Sequence, residues 1–110
     1  MNQEKTDLVK KFVEENTKLM YLSSGIGYLD VCSVGVSKGN AVKKIAEYMK
    51  IGLDQVCAFG DYDNDISMLD VAGIAVVTAN GSENTLKHAD FITKSNDDEG
   101  IAYAVNELLL

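Results

Sequence analysis

The hydrophobic and polar positions of the chain change their period near residue 36. In residues 5–16, apolar side chains recur at helical spacing between charged ones, which predicts an amphipathic helix. Residues 18–23 and 27–34 are rich in Tyr, Leu and Val and flank a glycine-containing turn, which is typical of a β-hairpin. We therefore expect residues 1–36 to form a helix followed by a hairpin.

From residue 37 onward, short apolar runs of strand length alternate with helical patterns. Alternation of this kind is typical of parallel β-α-β units, so it predicts an α/β fold in three layers. The expected strands are 55–60, 73–78 and 90–93, and the expected helices are 37–49, 64–72, 82–88 and 98–109. In the first of these helices we expect four apolar side chains to face inward: Ala41, Ile45, Ala46 and Met49.

The composition narrows the classes of function without choosing one. The chain has 110 residues, of which 46% are hydrophobic and 25% charged, and its net charge is −7. Such an acidic chain is poorly suited to nucleic acid or anionic membranes, because phosphate backbones are bound by clustered lysine and arginine. No apolar run is long enough to span a bilayer, and residues 1–16 are too charged for a signal peptide. We therefore expect a cytoplasmic protein that binds neither nucleic acid nor membranes.

Cysteine and histidine offer little chemistry. Cys32 and Cys57 are far apart and each lies in an apolar stretch, so we expect two reduced core residues. His88 is the only histidine, which leaves little material for a zinc site or a Ser-His relay.

Three carboxylates follow the expected strand 55–60, in the run Phe59-Gly60-Asp61-Tyr62-Asp63-Asn64-Asp65. The carboxyl ends of parallel strands are where ligands bind in open α/β sheets. Like charges at this spacing repel one another, so they favour a bound cation or good hydrogen-bond donors. Oxygen ligands of this type suit Mg²⁺, which usually takes one or two protein carboxylates and keeps several waters.

Two other interpretations of this acid cluster are open. Asp63 is a suitable cap for the helix that follows, because acidic residues are favourable near a helix N-terminus. The spacing of the acids also matches the first, third and fifth positions of a calcium-binding EF-hand loop. That match fails further along, because Ile66 and Ala72 occupy the positions of the required glycine and glutamate.

Lys38 and Gly39 are unfavourable residues at the start of a helix. Ser37 can cap this helix, but a lysine in its first turn faces the positive end of the helix dipole, at a cost of roughly 0.3–1 kcal/mol. Gly39 adds a helix-propensity cost of about 1 kcal/mol relative to alanine. These penalties indicate that Lys38 offers its charge to a phosphate and that Gly39 allows a close approach. The alternative is an exposed lysine that simply tolerates its position.

Taken together, these segments resemble the Cof-type branch of the haloacid dehalogenase (HAD) superfamily of phosphatases. The matching runs are VSKGNAVKKI (36–45), FGDYDNDISMLDVAGIAVVTANG (59–81) and HADFITKSNDDEGIA (88–102), and the resemblance covers roughly residues 20–110. It implies that residues 37–110 are the C-terminal part of a Rossmann-like HAD core. Residues 1–36 resemble a remnant of the cap domain, which selects the substrate in this family.

The resemblance also implies an active site. Lys38 resembles the lysine that contacts the phosphate and the nucleophilic aspartate. Asp61 and Asp65 resemble the acids that hold Mg²⁺, while Asn64 and Asn96 resemble asparagines that bind phosphate or order the site. Members of this family hydrolyse phosphate monoesters, often sugar phosphates, through an aspartyl-phosphate intermediate. The expected ligand is thus a phosphorylated small molecule.

The nucleophile motif of the family, D-x-D-G-T, does not precede Lys38. The D-x-D pairs of the chain lie within Asp61–Asp65, where Asn64 and Asp65 replace Gly and Thr and the downstream residues match the metal motif. We therefore expect the isolated chain to be inactive. In the family the nucleophile strand pairs with the equivalent of strand 55–60, so we expect a bare edge that joins a second copy or the missing N-terminal half. A non-catalytic module that binds phosphate or metal, or a partner through this edge, is the alternative.

Overall fold

The first helix, α1 (Gln3–Asn16), begins two residues before the expected position because Asn2 caps it. The Asn2 side chain accepts a hydrogen bond from the backbone N–H of Lys5 at 2.8 Å, which satisfies a free donor of the first turn. The expected hairpin follows, with antiparallel strands β1 (Met20–Gly25) and β2 (Tyr28–Cys32). Its two-residue turn contains Gly27, whose φ of 80° lies in the left-handed region that favours glycine.

The computed structural model describes residues 2–110, and these residues divide into two compact units. The first unit ends at Val36 and contains α1, β1 and β2, and the second runs from Ser37 to Leu110. Within residues 2–110, none of the helices is long and apolar enough to cross a bilayer.

A three-stranded parallel sheet with flanking helices makes up the second unit, which confirms the expected α/β class. Its strands are β3 (Cys57–Gly60), β4 (Ile74–Thr78) and β5 (Phe91–Thr93), in the order β3-β4-β5. The helices are α2 (Lys38–Met49), α3 (Ile66–Val71), α4 (Glu83–Leu86) and α5 (Gly100–Leu108). Short 3₁₀ turns cover Leu53–Gln55, Asp63–Asp65 and Asn96–Asp98, and so shorten three of the expected elements.

The central strand β4 forms the core of this unit. Val76 and Val77 are completely buried, because β4 has a strand on each side and also contacts the helices α3, α4 and α5. On one face, Ala58, Ala75 and Val77 pack with Leu69 of α3. The core therefore holds the carboxyl ends of β3 and β4 in fixed register, with Gly60 opposite Val77.

Helix α2 is buried through its smallest residues, which corrects the expected inward face. Of the four side chains predicted to face inward, only Ala46 is buried, whereas Ile45 and Met49 are 58% and 60% exposed and Ala41 is also exposed. Gly39 is buried instead, and its N–H donates to Ser67 Oγ at 3.0 Å. Gly39 therefore allows α2 to approach α3 closely. The periodicity of apolar residues predicted the wrong buried face of α2, because Gly39 and Ala46 are buried and the larger Ile45 and Met49 are exposed.

The two cysteines are free and half-buried rather than fully buried core residues. Burial raises the pKa of the Cys57 thiol, so this group favours its neutral form.

Replacement of Gly39 by alanine tests the contact between α2 and α3. A Cβ at this position would lie 2.7 Å from the backbone carbon of Ser67 and 3.1 Å from its Cβ. We expect Gly39→Ala to lower the free energy of unfolding by about 1–3 kcal/mol, despite a helix-propensity gain of about 1 kcal/mol. Denaturant unfolding measures this change, with Lys44→Ala on the exposed face of α2 as the control. A stabilised Gly39→Ala variant would contradict the close packing.

Candidate functional site

An open cleft of about 510 Å³ lies at the carboxyl ends of β3 and β4. Its polar lining comes from the end of β4, the turn after β3, the start of α2 and the 3₁₀ turn after β5, and its apolar wall comes from β3, α3 and α5. The lining residues are Lys38, Phe59, Gly60, Asp61, Asp65, Met68, Thr78, Asn96 and Ile101. Four of the five residues expected from the sequence therefore line one cleft.

An ion pair between Lys38 and Asp65 joins two of the predicted motifs in this cleft. The Lys38 ammonium contacts Asp65 Oδ1, although 27 positions separate the two residues in the chain. The Asp65 side chain is only 7% exposed, whereas that of Lys38 is 49% exposed. One end of the pair is thus anchored in the protein while the other faces the cleft.

Backbone amides hold the second oxygen of Asp65. Asp65 Oδ2 accepts from the N–H of Asp61 at 3.0 Å and from the N–H of Tyr62 at 3.4 Å. Glycine is required at position 60, because a Cβ there would lie 2.7 Å from the Cβ of Asp65. The sequence Gly60-Asp61 therefore lets the chain fold tightly around the buried carboxylate.

The pKa of Asp65 reflects two opposed effects. Burial raises this pKa, but the hydrogen bond and charge of Lys38 and the amides of Asp61 and Tyr62 favour the carboxylate. The net result is a pKa below its ordinary value of 3.8, so Asp65 is ionised at neutral pH.

Asp61 is the carboxylate that remains available to a ligand. It is exposed on the wall of the cleft, and its side chain forms no hydrogen bond or ion pair within residues 2–110. Its backbone is engaged at both ends, since the N–H donates to Asp65 and the carbonyl accepts from Ser82 N at 2.9 Å. The side chain is thus free on a fixed main chain.

Asp63 does not cap α3, and its carboxylate contacts α4 instead. Ser82 Oγ donates to Asp63 Oδ1 at 2.7 Å, and the hydroxyl of Thr85 lies 3.5 Å from the same oxygen. The acids therefore do not converge as they do in a calcium loop. In the described part of the chain, no group of three or more Asp, Glu, His or Cys side chains is placed to hold a metal ion.

Asn96 and Asn64 differ in position. Asn96 lines the cleft, and its backbone N–H donates to the side chain of Asn80 at 3.0 Å, which links the loops after β4 and β5. Asn64 is half-buried in the turn between Asp63 and Asp65 and does not line the cleft. The structure thus brings Lys38, Asp61, Asp65 and Asn96 together but leaves Asn64 outside this group.

Thr78 is a cleft residue that none of the sequence motifs predicted. It ends β4 and is 6% exposed, and its hydroxyl oxygen is buried without a hydrogen-bond partner among residues 2–110. An unsatisfied buried hydroxyl costs about 1–3 kcal/mol, so a hydrogen-bonding group brought to this position would recover part of that free energy. Its place at the carboxyl end of a parallel strand was the available signal.

The donor set suits a hard cation with few protein ligands. Asp61 offers a free carboxylate, whereas both oxygens of Asp65 already accept hydrogen bonds from Lys38 or backbone amides. Mg²⁺ commonly binds through one or two carboxylates and keeps its remaining positions for water and phosphate oxygens. Asp61 as a direct ligand, with Asp65 beside it, fits this pattern.

The pH dependence of stability tests the Lys38–Asp65 pair. Because its pKa is lowered on folding, Asp65 contributes stability that is complete above the unfolded value and is lost as the pH falls below about 4. We expect the difference in unfolding free energy between wild type and Asp65→Asn to be constant near neutral pH and to shrink in acid. Lys38→Met should weaken this pH dependence. Urea unfolding from pH 7 to pH 2 measures it, and identical profiles for wild type and Asp65→Asn would contradict the pair.

Comparison with known proteins places this geometry in a family. The family described as haloacid dehalogenase-like hydrolase matches residues 1–105. The 5-amino-6-(5-phospho-D-ribitylamino)uracil phosphatase YwtE of Bacillus subtilis is 32% identical over 108 residues, which are 98% of this chain and 38% of YwtE.

Solved structures of haloacid dehalogenase-like proteins resemble this chain in fold as well as in sequence. A haloacid dehalogenase-like hydrolase from B. subtilis is 36% identical with a TM-score of 0.88, over 97% of this chain and 38% of that protein. The sugar phosphatase BT4131 is 27% identical with a TM-score of 0.84, over 93% of this chain and 39% of BT4131. The chain thus spans about two fifths of the length of these relatives, with 38% of YwtE as an example. It belongs to the haloacid dehalogenase-like hydrolase family.

Proposed function

We propose that this chain carries the phosphate-binding and metal-binding part of a phosphomonoesterase active site. In this proposal Lys38, Asn64 and Asn96 bind the phosphate, and Asp61 and Asp65 hold Mg²⁺. The supporting observation is the ion pair of Lys38 with Asp65 in the cleft that also exposes Asp61. A purely structural domain has no need for a lysine and two acids around one opening.

Lys38 is suited to bind the transferring phosphoryl group. Its stem begins in the first turn of α2, and its ammonium is held by Asp65 while half of the side chain remains exposed. An anchored positive charge costs little reorganisation when negative charge develops on phosphoryl oxygens, so it stabilises the transition state. In this proposal Asp65 orients Lys38 through one oxygen and also lies beside Asp61 at the Mg²⁺ site.

The acids and amides complete the proposed site. A Mg²⁺ ion held at Asp61 would neutralise charge on the phosphate. Asn96 faces the same cleft, and the bond from its N–H to Asn80 fixes its backbone. The role of Asn64 rests on family resemblance, because this side chain does not line the cleft.

We further propose that the attacking carboxylate comes from polypeptide outside these residues. Within residues 2–110, β3 pairs with β4 only, so one edge of β3 has no strand partner. An apolar groove of about 280 Å³ adjoins the start of this strand, and its walls include Ile45, Met49 and Val56. A strand added along β3 would cover exposed apolar side chains at one end and reach Lys38 at the other.

The proposed substrate is a small phosphate monoester in the cytoplasm. YwtE and BT4131 are named as phosphatases of a phosphorylated ribityl compound and of sugars, which supports a sugar-phosphate-like substrate. Residues 1–36 are proposed to be a remnant of the cap domain.

A second candidate function is a non-catalytic module that binds phosphate, metal or a partner without turnover. The observation that favours it is the free edge of β3 beside the apolar groove, which suits a second copy of the chain. Retention of the Lys38–Asp65 pair favours the phosphatase proposal, because dimerisation through the edge does not use that pair.

An assay of the purified chain tests the incomplete site. With Mg²⁺ and an aryl phosphate, we expect no turnover above that of Asp61→Asn, because a lysine and a metal site without a nucleophile cannot form the covalent intermediate. Robust activity that Asp61→Asn abolishes would contradict this proposal and show that the chain contains its own nucleophile.

Complementation in trans separates the two candidate functions. The segment of YwtE that this chain does not match is added to the purified chain, and hydrolysis is measured together with complex formation by light scattering. We expect Mg²⁺-dependent turnover, which Lys38→Ala lowers about 100-fold or more. A complex without turnover, or a stable homodimer that excludes the added segment, would favour the non-catalytic module.

A further inference from the structure

The contacts of Asp63 give this residue a role that neither capping nor metal ligation describes. We propose that Asp63 is a positioning residue that holds the loop of Asp61 against the start of α4, and thereby fixes Asp61 for a divalent cation. This inference rests on the proposed metal role of Asp61. In this proposal the loop after β4 supports the metal site from behind, because its residues hold the segment of Asp61 without contacting the ion.

The first link between the two loops runs through hydroxyl groups. Ser82 Oγ donates to Asp63 Oδ1 at 2.7 Å, and Ser82 Oγ lies 2.5 Å from Thr85 Oγ1. When Ser82 donates to Asp63, the Thr85 hydroxyl donates to Ser82, so the three groups form a chain that ends on the carboxylate. Thr85 is completely buried, so this chain starts from a fixed point in the protein. Asn84 Nδ2 donates to the second oxygen of Asp63 at 3.4 Å.

A second link runs through the backbone of the same serine. Ser82 N donates to the carbonyl of Asp61 at 2.9 Å, so Ser82 contacts both ends of the segment from Asp61 to Asp63. Gly81 permits this approach, because a Cβ at that position would lie 2.7 Å from Val77 Cγ1 and 3.4 Å from the carbonyl oxygen of Asp61.

Together with Asp65, these links restrain Asp61 on both sides. Its N–H is bound to Asp65 and its carbonyl to Ser82, so the torsions of its side chain are the main freedom that remains. Hydrogen-bonded groups behind a metal ligand orient that ligand, and their loss typically weakens metal binding about 10–100-fold. The carboxylate of Asp63 is already engaged by α4, which supports an indirect role.

Hydrogen exchange tests the restraint itself in the absence of metal. The amide of Ser82 is followed by NMR in wild type, Asp63→Asn and Asp63→Ala, with thermal unfolding to confirm that each variant folds. Asparagine retains an acceptor for the Ser82 hydroxyl, whereas alanine retains none. We expect faster exchange in Asp63→Ala and nearly wild-type exchange in Asp63→Asn. Equal exchange in all three proteins would overturn the proposal.

Binding of Mn²⁺ tests the consequence for the site, with line broadening of nearby amides as the readout. We expect Asp63→Ala to weaken binding about 10-fold or more and Asp63→Asn to restore most of it. Equal weakening in both variants would overturn the positioning role, because it would indicate a charge effect or direct ligation by Asp63. Asp61→Asn separates the proposals: if it leaves Mn²⁺ binding unchanged, the metal role of Asp61 is wrong, whatever the exchange result at Ser82.

Discussion

The ion pair between Lys38 and Asp65 is the interaction on which the cleft depends. It joins the start of α2 to the start of α3, and it places a positive charge beside acids that would otherwise repel one another. Because Asp65 is buried, loss of Lys38 would leave a carboxylate with only backbone amides as partners. The proposed site is thus built from residues that also connect two helices, so the same contact serves stability and the proposed chemistry.

The fixed positions around this pair come from close backbone approaches. Gly39 brings α2 against Ser67, and Gly60 lets the chain after β3 wrap around Asp65. Ser82 then binds the carbonyl of Asp61 from the next loop. Each of these contacts joins residues from different elements of the fold. The parallel pairing of β3 and β4 brings the loops that follow the two strands to the same edge of the sheet, where these contacts and the cleft lie.

Much of this arrangement could be predicted from local patterns. The apolar runs predicted the parallel strands, Ser37 predicted the start of α2, and the acids after β3 predicted the edge of the sheet where the cleft lies. The remaining features depend on tertiary contacts. The exposure of Ile45, the packing of Gly39 on α3 and the turn of Asp63 toward α4 are set by which elements become neighbours, which side-chain periodicity does not specify.

An NMR titration of the isotope-labelled chain with inorganic phosphate in the presence of Mg²⁺ tests the proposed phosphate site most directly. We predict saturable shifts that are confined to the cleft, at residues near Lys38, Asp61, Thr78 and Asn96, and that disappear in Lys38→Ala. Shifts that map elsewhere, or that persist unchanged without Lys38, would contradict a phosphate-binding site organised by the Lys38–Asp65 pair.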